Sequence, residues 1–229
     1  MRFDYHTRYR EGFALWRSAF DRNIYILLAL MLLALPWVAT PFALGELAYL
    51  FILCIASLGL MTLTGFTGQV SLGHAAFVAI GAYGHAWFLS KGLPLPLSLL
   101  LAAMISAAAG LLVGIPAIRV SGLYLAMVTM AFAIIIEQVI GHWSSVTGGF
   151  TGLAVNDPML WGFSLSGPKT FYYFCLLMLT LVLLALLNIM RSGTGRALIG
   201  VRESEAASYA LGISVKGTKA GAFALSAGI

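Results

Sequence analysis

Six stretches of the chain, at about 24–44, 46–64, 69–89, 97–116, 122–141 and 171–190, are long and apolar with almost no charge. About 20 helical residues cross about 30 Å of hydrocarbon, so runs of this kind read as membrane spans. They are continuous and do not alternate with period two, which selects helices over a barrel. A seventh run begins near Ala220 and reaches Ile229, too short to cross. Composition agrees: 61% of residues are apolar and 9% charged, where an average soluble domain is nearer half and a quarter. So few charges exclude a disordered chain, a nucleic-acid-binding domain and an ordinary cytosolic enzyme. The expected fold class is all-α, a polytopic transmembrane helical bundle.

The 13 basic residues are clustered. Arg2, Arg8, Arg10, Arg17 and Arg22 precede the first run, and Arg191, Arg196, Arg202, Lys216 and Lys219 lie within 191–219. Cytoplasmic loops collect Lys and Arg. Six spans put both clusters on one side, with Lys91 and Lys169 on the other. The expected organisation is a cytoplasmic segment 1–23 and a transmembrane domain 24–229. That domain includes an outer loop 142–170 and a cytoplasmic loop 191–219. The weakest join is Gly45-Glu46, a tight connection between the first two runs. Asn156-Asp157-Pro158 reads as a turn. The run 24–35 resembles a signal-peptide core, but the mixed-charge segment before it is too long for one, so an uncleaved span is expected. Cys54 and Cys175 sit inside apolar runs and read as small buried residues.

Several chemistries find no support. Gly212 to Lys219 spaces its glycines like a phosphate-binding loop, but the lysine does not follow the second glycine. Gly193-Thr194-Gly195 lacks the third glycine of a dinucleotide loop. His74, His85 and His142 have no carboxylate or cysteine at ligand spacing, so no metal site is expected. No arrangement of nucleophile, base and acid is present, so no catalytic residue is assigned.

Polar residues inside the apolar runs are the candidates for function. Gly65-Phe66-Thr67-Gly68-Gln69-Val70-Ser71-Leu72-Gly73-His74 brings four polar side chains and three glycines into one run. Gln69, Ser71 and His74 need partners that lipid does not offer, so they face protein or a water-filled path. A tight helix contact and a cavity lining both remain open for this segment. Thr129 and Glu137 are the other candidates for a translocation path. Ser106, Gly110 and Gly114 place small residues on one helical stripe and read as helix packing.

The segment 191–219 is polar and basic, yet 196–211 is rich in helix formers. Leu198, Val201, Ala206, Ala207, Ala210 and Leu211 are expected on one face of a helix over 196–212, with Gly212 as its stop. Arg196, Arg202, Glu203 and Glu205 take up the rest. An alanine-lined apolar face suits a shallow groove on a partner protein better than lipid headgroups.

Glu205-Ala206-Ala207 followed by Gly212 resembles the coupling motif of ABC importer permeases, with four residues between the alanines and the glycine where three are common. Gly193-Thr194-Gly195-Arg196-Ala197-Leu198, Arg202-Glu203 and Leu211-Gly212-Ile213 are similar to the branched-chain amino acid importer permeases in particular. So are Gly65 to Gly81, Ser121 to Thr129 and Thr147 to Leu153. The resemblance implies an ABC-importer-type coupling helix formed by Arg196, Arg202, Glu203, Glu205, Ala206, Ala207, Leu211 and Gly212. It implies ABC ATPase subunits, a second homologous permease subunit and a periplasmic substrate-binding protein as partners. ATP and Mg would be used by the ATPase and no cofactor bound by this chain. It also implies a place in the bacterial inner membrane with the N-terminus cytoplasmic, and further spans beyond Ile229. Substrates would be branched-chain amino acids or related solutes. The alternative is an ion-coupled secondary transporter using Glu137 or His74.

Overall fold

The computed structural model describes residues 19–120, 122–153, 159–160 and 163–229. Asn156-Asp157-Pro158 and the four arginines at 2–17 lie outside the described residues. Helix α1 covers Ala19–Ala34, and a 3-10 turn follows at Leu35–Trp37. Helix α2 covers Pro41–Met61 and runs on as a wider π turn, Thr62–Phe66. The expected span 24–44 is therefore not one helix. Pro36 and Pro41 each lack a backbone N–H, and a proline biases the residue before it away from helix. Thr40 accordingly stands at φ −69°, ψ 155°, and its hydroxyl accepts a hydrogen bond from Ala43 N. The expected span 46–64 thus becomes Pro41–Phe66, and Gly45-Glu46 lies inside the helix rather than in a connection. With 16 residues, α1 is about 24 Å long.

Helix α3 is His74–Ser90, α4 is Leu95–Ala117 and α5 is Leu123–His142. The third expected span, 69–89, loses its beginning, because residues 68–73 are not helical. After α5 come a one-turn helix α6, Ser144–Thr147, and a 3-10 turn at Gly149–Thr151. Strands β1, Met159–Leu160, and β2, Phe163–Ser164, then form a two-stranded antiparallel hairpin. Helix α7 is Pro168–Arg191. Four helices among the described residues are long and apolar enough to cross a membrane: Pro41–Phe66, Leu95–Ala117, Leu123–His142 and Pro168–Arg191. Of the six expected runs, the first and third fall short. The molecule is an all-α polytopic bundle.

The single helix expected over 196–212 is two helices, α8 at Gly193–Glu203 and α9 at Glu205–Ala210. Ser204 interrupts them. It is extended, at φ −160°, and its hydroxyl caps α9 by accepting from Ala207 N at 3.2 Å. Helix α10, Val215–Gly228, starts earlier than the expected Ala220 because Ser214 caps it in the same manner.

Among the described residues, two cores hold the bundle. One joins Leu44, Ala48 and Phe51 of α2 to Tyr172 and Cys175 of α7, so these helices start at the same end. Tyr172 and Tyr173 also donate to Leu32 O and Leu33 O, each at 2.9 Å, which fastens α1 to α7. The other core gathers Leu63, Phe77, Val113, Leu125, Leu198 and Phe223 around α10. Glycine permits its closest contact. A Cβ on Gly110 would stand 2.5 Å from Phe223 O, and one on Gly114 would stand 3.1 Å from Ala220 Cα. The outer faces of α5 and α7 stay exposed and apolar, with Met127, Ile134, Ile135, Leu177 and Leu184 among them, as lipid-facing helices require.

Candidate functional site

The interruption between α2 and α3 is built by threonines and glycines. Thr62 and Thr64 donate to Leu58 O and Leu60 O, both at 2.9 Å, and Thr67 donates to Leu63 O. These hydroxyls satisfy carbonyls where the helical ladder widens. Leu63 O also accepts from Gln69 N at 3.2 Å, which turns the chain back. Gly68 makes that turn at φ +67°, a conformation that favours glycine. Gly73 then lies against α5 so closely that a Cβ would stand 2.0 Å from Thr129 O. Leu72 N donates to Thr129 Oγ1 at 3.0 Å, so the non-helical segment is pinned to α5.

This segment brings together four of the five sequence-derived path residues. Gln69 is 5% exposed and Ser71 6%. His74 Nε2 donates to Ala56 O at 2.9 Å, and Thr129 is fully buried with its hydroxyl donating to Ala126 O. Among the described residues, the buried side-chain polar atoms without a hydrogen-bond partner are Gln69 Nε2 and Oε1, Ser71 Oγ and His74 Nδ1. All fall within six residues. A buried polar group left unpaired costs about 1–3 kcal/mol, so this concentration is a costly arrangement for mere packing. The atoms are uncharged and include both donors and acceptors, which suits a small polar solute. Glu137 is elsewhere, exposed on α5 two turns beyond Thr129.

Sequence reasoning passed over Gly59 and Ser226 at this centre, and Lys219 beneath α9. Gly59 receives α10 so closely that a Cβ would stand 2.8 Å from Ser226 O and 3.1 Å from the His74 ring. Ser226 Oγ donates to Gly59 O at 2.7 Å. Its only signal was a serine in a short apolar run. Lys219, counted as a loop charge, is buried and pairs with Glu205 at 2.7 Å. Of the packing stripe, Ser106 donates to Phe77 O at 2.8 Å and so faces α3, while Gly110 and Gly114 face α10.

The α8–α9 end divides the expected apolar face. Leu198 and Val201 point into the core. Ala206, Ala207 and Ala210 are exposed, as are Tyr209 at 78% and Leu211 at 81%. The break at Ser204 is the reason, since it restarts the helical register. Gly212, at φ +81°, closes α9: its N–H bonds Tyr209 O, and Ile213 N bonds Ser208 O. Glu203 pairs with Arg202 at 2.6 Å and Glu205 with Lys219, so both carboxylates have partners within the chain. Arg196 is exposed and its Nη1 donates to Arg191 O at 3.5 Å. No group of three or more His, Cys, Asp or Glu placed to hold a metal occurs among the described residues.

Four helices long and apolar enough to cross a membrane, one of them ending at a break with unpaired polar groups, make this a multi-pass membrane protein. Residues 42–229 match the family described as "Branched-chain amino acid transport system / permease component", and the chain belongs to that family. It is 34% identical over 231 aligned positions to the high-affinity branched-chain amino acid transport system permease protein LivM of Escherichia coli strain K12. The protein of the same name from Salmonella typhimurium is equally similar. Each alignment covers 88% of this chain and 54% of the relative, so the chain spans about half the length of the curated relatives it matches. No solved structure matches.

Proposed function

We propose that this chain is the membrane-spanning permease subunit of an ATP-driven importer, in the bacterial inner membrane with its N-terminus in the cytoplasm. The observation that carries this reading is α9. It holds three alanines, Tyr209 and Leu211 outward, while buried Ser208 and the Glu205–Lys219 pair anchor its underside. An alanine surface between two large apolar side chains fits a shallow groove on another protein. That protein is a separate ABC ATPase, which uses ATP and Mg; this chain holds no cofactor and catalyses no reaction. A second homologous permease and a periplasmic binding protein complete the assembly.

Gln69, Ser71, His74 and Thr129 line the translocation path. Neutral groups that donate and accept suit a zwitterion, which agrees with branched-chain or related amino acids as the solutes. The rival secondary-transport reading places a proton on Glu137 or His74. Glu137, on the exposed side of α5 and apart from the other polar groups, gives it little support.

The test uses the full-length permease co-expressed with its ATPase and purified in mild detergent. Ala207→Arg is expected to lower the retained ATPase at least about tenfold, a coupling of ordinary size, with the amount of permease in the membrane unchanged. Retention at the wild-type level overturns the docking role of α9.

A further inference from the structure

Helix α8 touches the break in α2 directly. Arg202, next to last in α8, donates from Nη1 to Gly65 O at 2.7 Å. Gly65 belongs to the π turn that ends α2. The stem of Arg202 lies over Gly68, where an added Cβ would stand 2.9 Å from Arg202 Cγ and 3.8 Å from Arg202 Cβ. On its other side the guanidinium gives Nε and Nη2 to Glu203 Oε1, at 3.2 and 2.6 Å. Two charge-assisted bonds to one carboxylate fix the plane of the fork and leave Nη1 aimed at the carbonyl. Two residues after Arg202, Ser204 turns the chain into α9. One residue after Gly68 comes Gln69, the first of the unpaired polar residues. Arg202 therefore stands between the exposed surface of α9 and the segment that carries Gln69, Ser71 and His74.

A plain structural cap would need only a donor near Gly65 O. Here the opposing residue is a glycine with positive φ, which leaves room for the arginine stem as well as its head. Both the turn and α8 are shaped to the same side chain.

We propose that Arg202 is a positioning residue that makes the end of α8 and the turn 65–68 move as one body. Movement of α9 then reaches the polar segment without passing through the rest of the bundle. This rests on the reading of α9 as the ATPase-docking surface.

The test exploits the 3.8 Å separation of the two Cβ positions, which lies within the range a disulfide spans, about 3.5–4.5 Å. Gly68→Cys and Arg202→Cys are introduced together into the full-length permease, with Cys54→Ala and Cys175→Ala, and assembled with its ATPase in proteoliposomes. Solute imported per ATP hydrolysed is measured reduced and after oxidation. The reduced pair, like Arg202→Ala alone, is expected to import about tenfold less solute per ATP than the parent, a loss typical of a broken coupling. Oxidation replaces the contact with a covalent link and is expected to restore most of that ratio. Arg202→Lys is expected to fall between. The two states are the same polypeptide, so strain at position 68 cancels between them. Three results overturn the proposal: normal coupling when reduced, no recovery on oxidation, or failure of the pair to oxidise. Loss of ATPase retention in Ala207→Arg bears separately on the docking reading, so either idea can fail without the other.

Discussion

Gln69 carries two of the four buried side-chain polar atoms without partners among the described residues, the others being Ser71 Oγ and His74 Nδ1. Replacing it by leucine removes an unpaired group that costs about 1–3 kcal/mol. Gln69→Leu is expected to raise the thermal midpoint of the purified full-length protein while lowering solute uptake about tenfold or more. A variant that loses stability and keeps uptake would make Gln69 a packing residue. Gly73 and Gly92 give a second contrast. Gly73→Ala drives a methyl into Thr129 O and is expected to cost about 1–3 kcal/mol or more, as overpacking does. Gly92→Ala meets open space and costs only its left-handed backbone, at φ +82°, about 1 kcal/mol. Thermal unfolding of the two variants side by side checks the order. At this scale Gln69, Ser71 and His74 were legible in the sequence, because polar residues in an apolar run must be accounted for. Gly212 was legible because a glycine after a helix has one common use. Arg202 was singled out for the coupling helix, but its contact was not legible: its partner, Gly65, is 137 residues away, and no local pattern encodes that bond.

Among the elements, α4 and α10 make the closest pair. Gly110→Val is expected to push them apart and cost about 1–3 kcal/mol. Ser226→Ala removes only the bond to Gly59 O and should cost about 0.6 kcal/mol, the average for a hydrogen bond between membrane helices. Unfolding in detergent that ranks Ser226→Ala as the worse of the two would contradict this packing account. The long helices were readable from their apolar length, α4 and α5 to within two residues of their ends. Three boundaries were not, each for a local reason that averaged hydropathy hides. Pro36 and Pro41 lie inside a run as apolar as its neighbours, yet they stop and restart the helix. Gly68 and Gly73 keep 68–73 out of α3 by a turn and a close contact with α5. Ser204 sits in a stretch of good helix formers, and its capping of α9 outweighs propensity there.

For the whole molecule, the helix contacts fix relative directions. Helices α2 and α7 start at one end, and α4 runs antiparallel to α10. The α8–α9 end carries Arg191, Arg196, Arg202 and Lys216, and on the proposed reading this basic end is the cytoplasmic one. The central claim is that the α9 surface couples solute movement to ATP hydrolysis by a separate subunit. Uptake into proteoliposomes holding the full-length transporter tests it most directly, with ATP supplied on the ATPase side. Uptake is expected to require ATP, to persist in the presence of a protonophore and to be lost in Ala207→Arg. Uptake that proceeds without the ATPase subunits and collapses with the protonophore would contradict it.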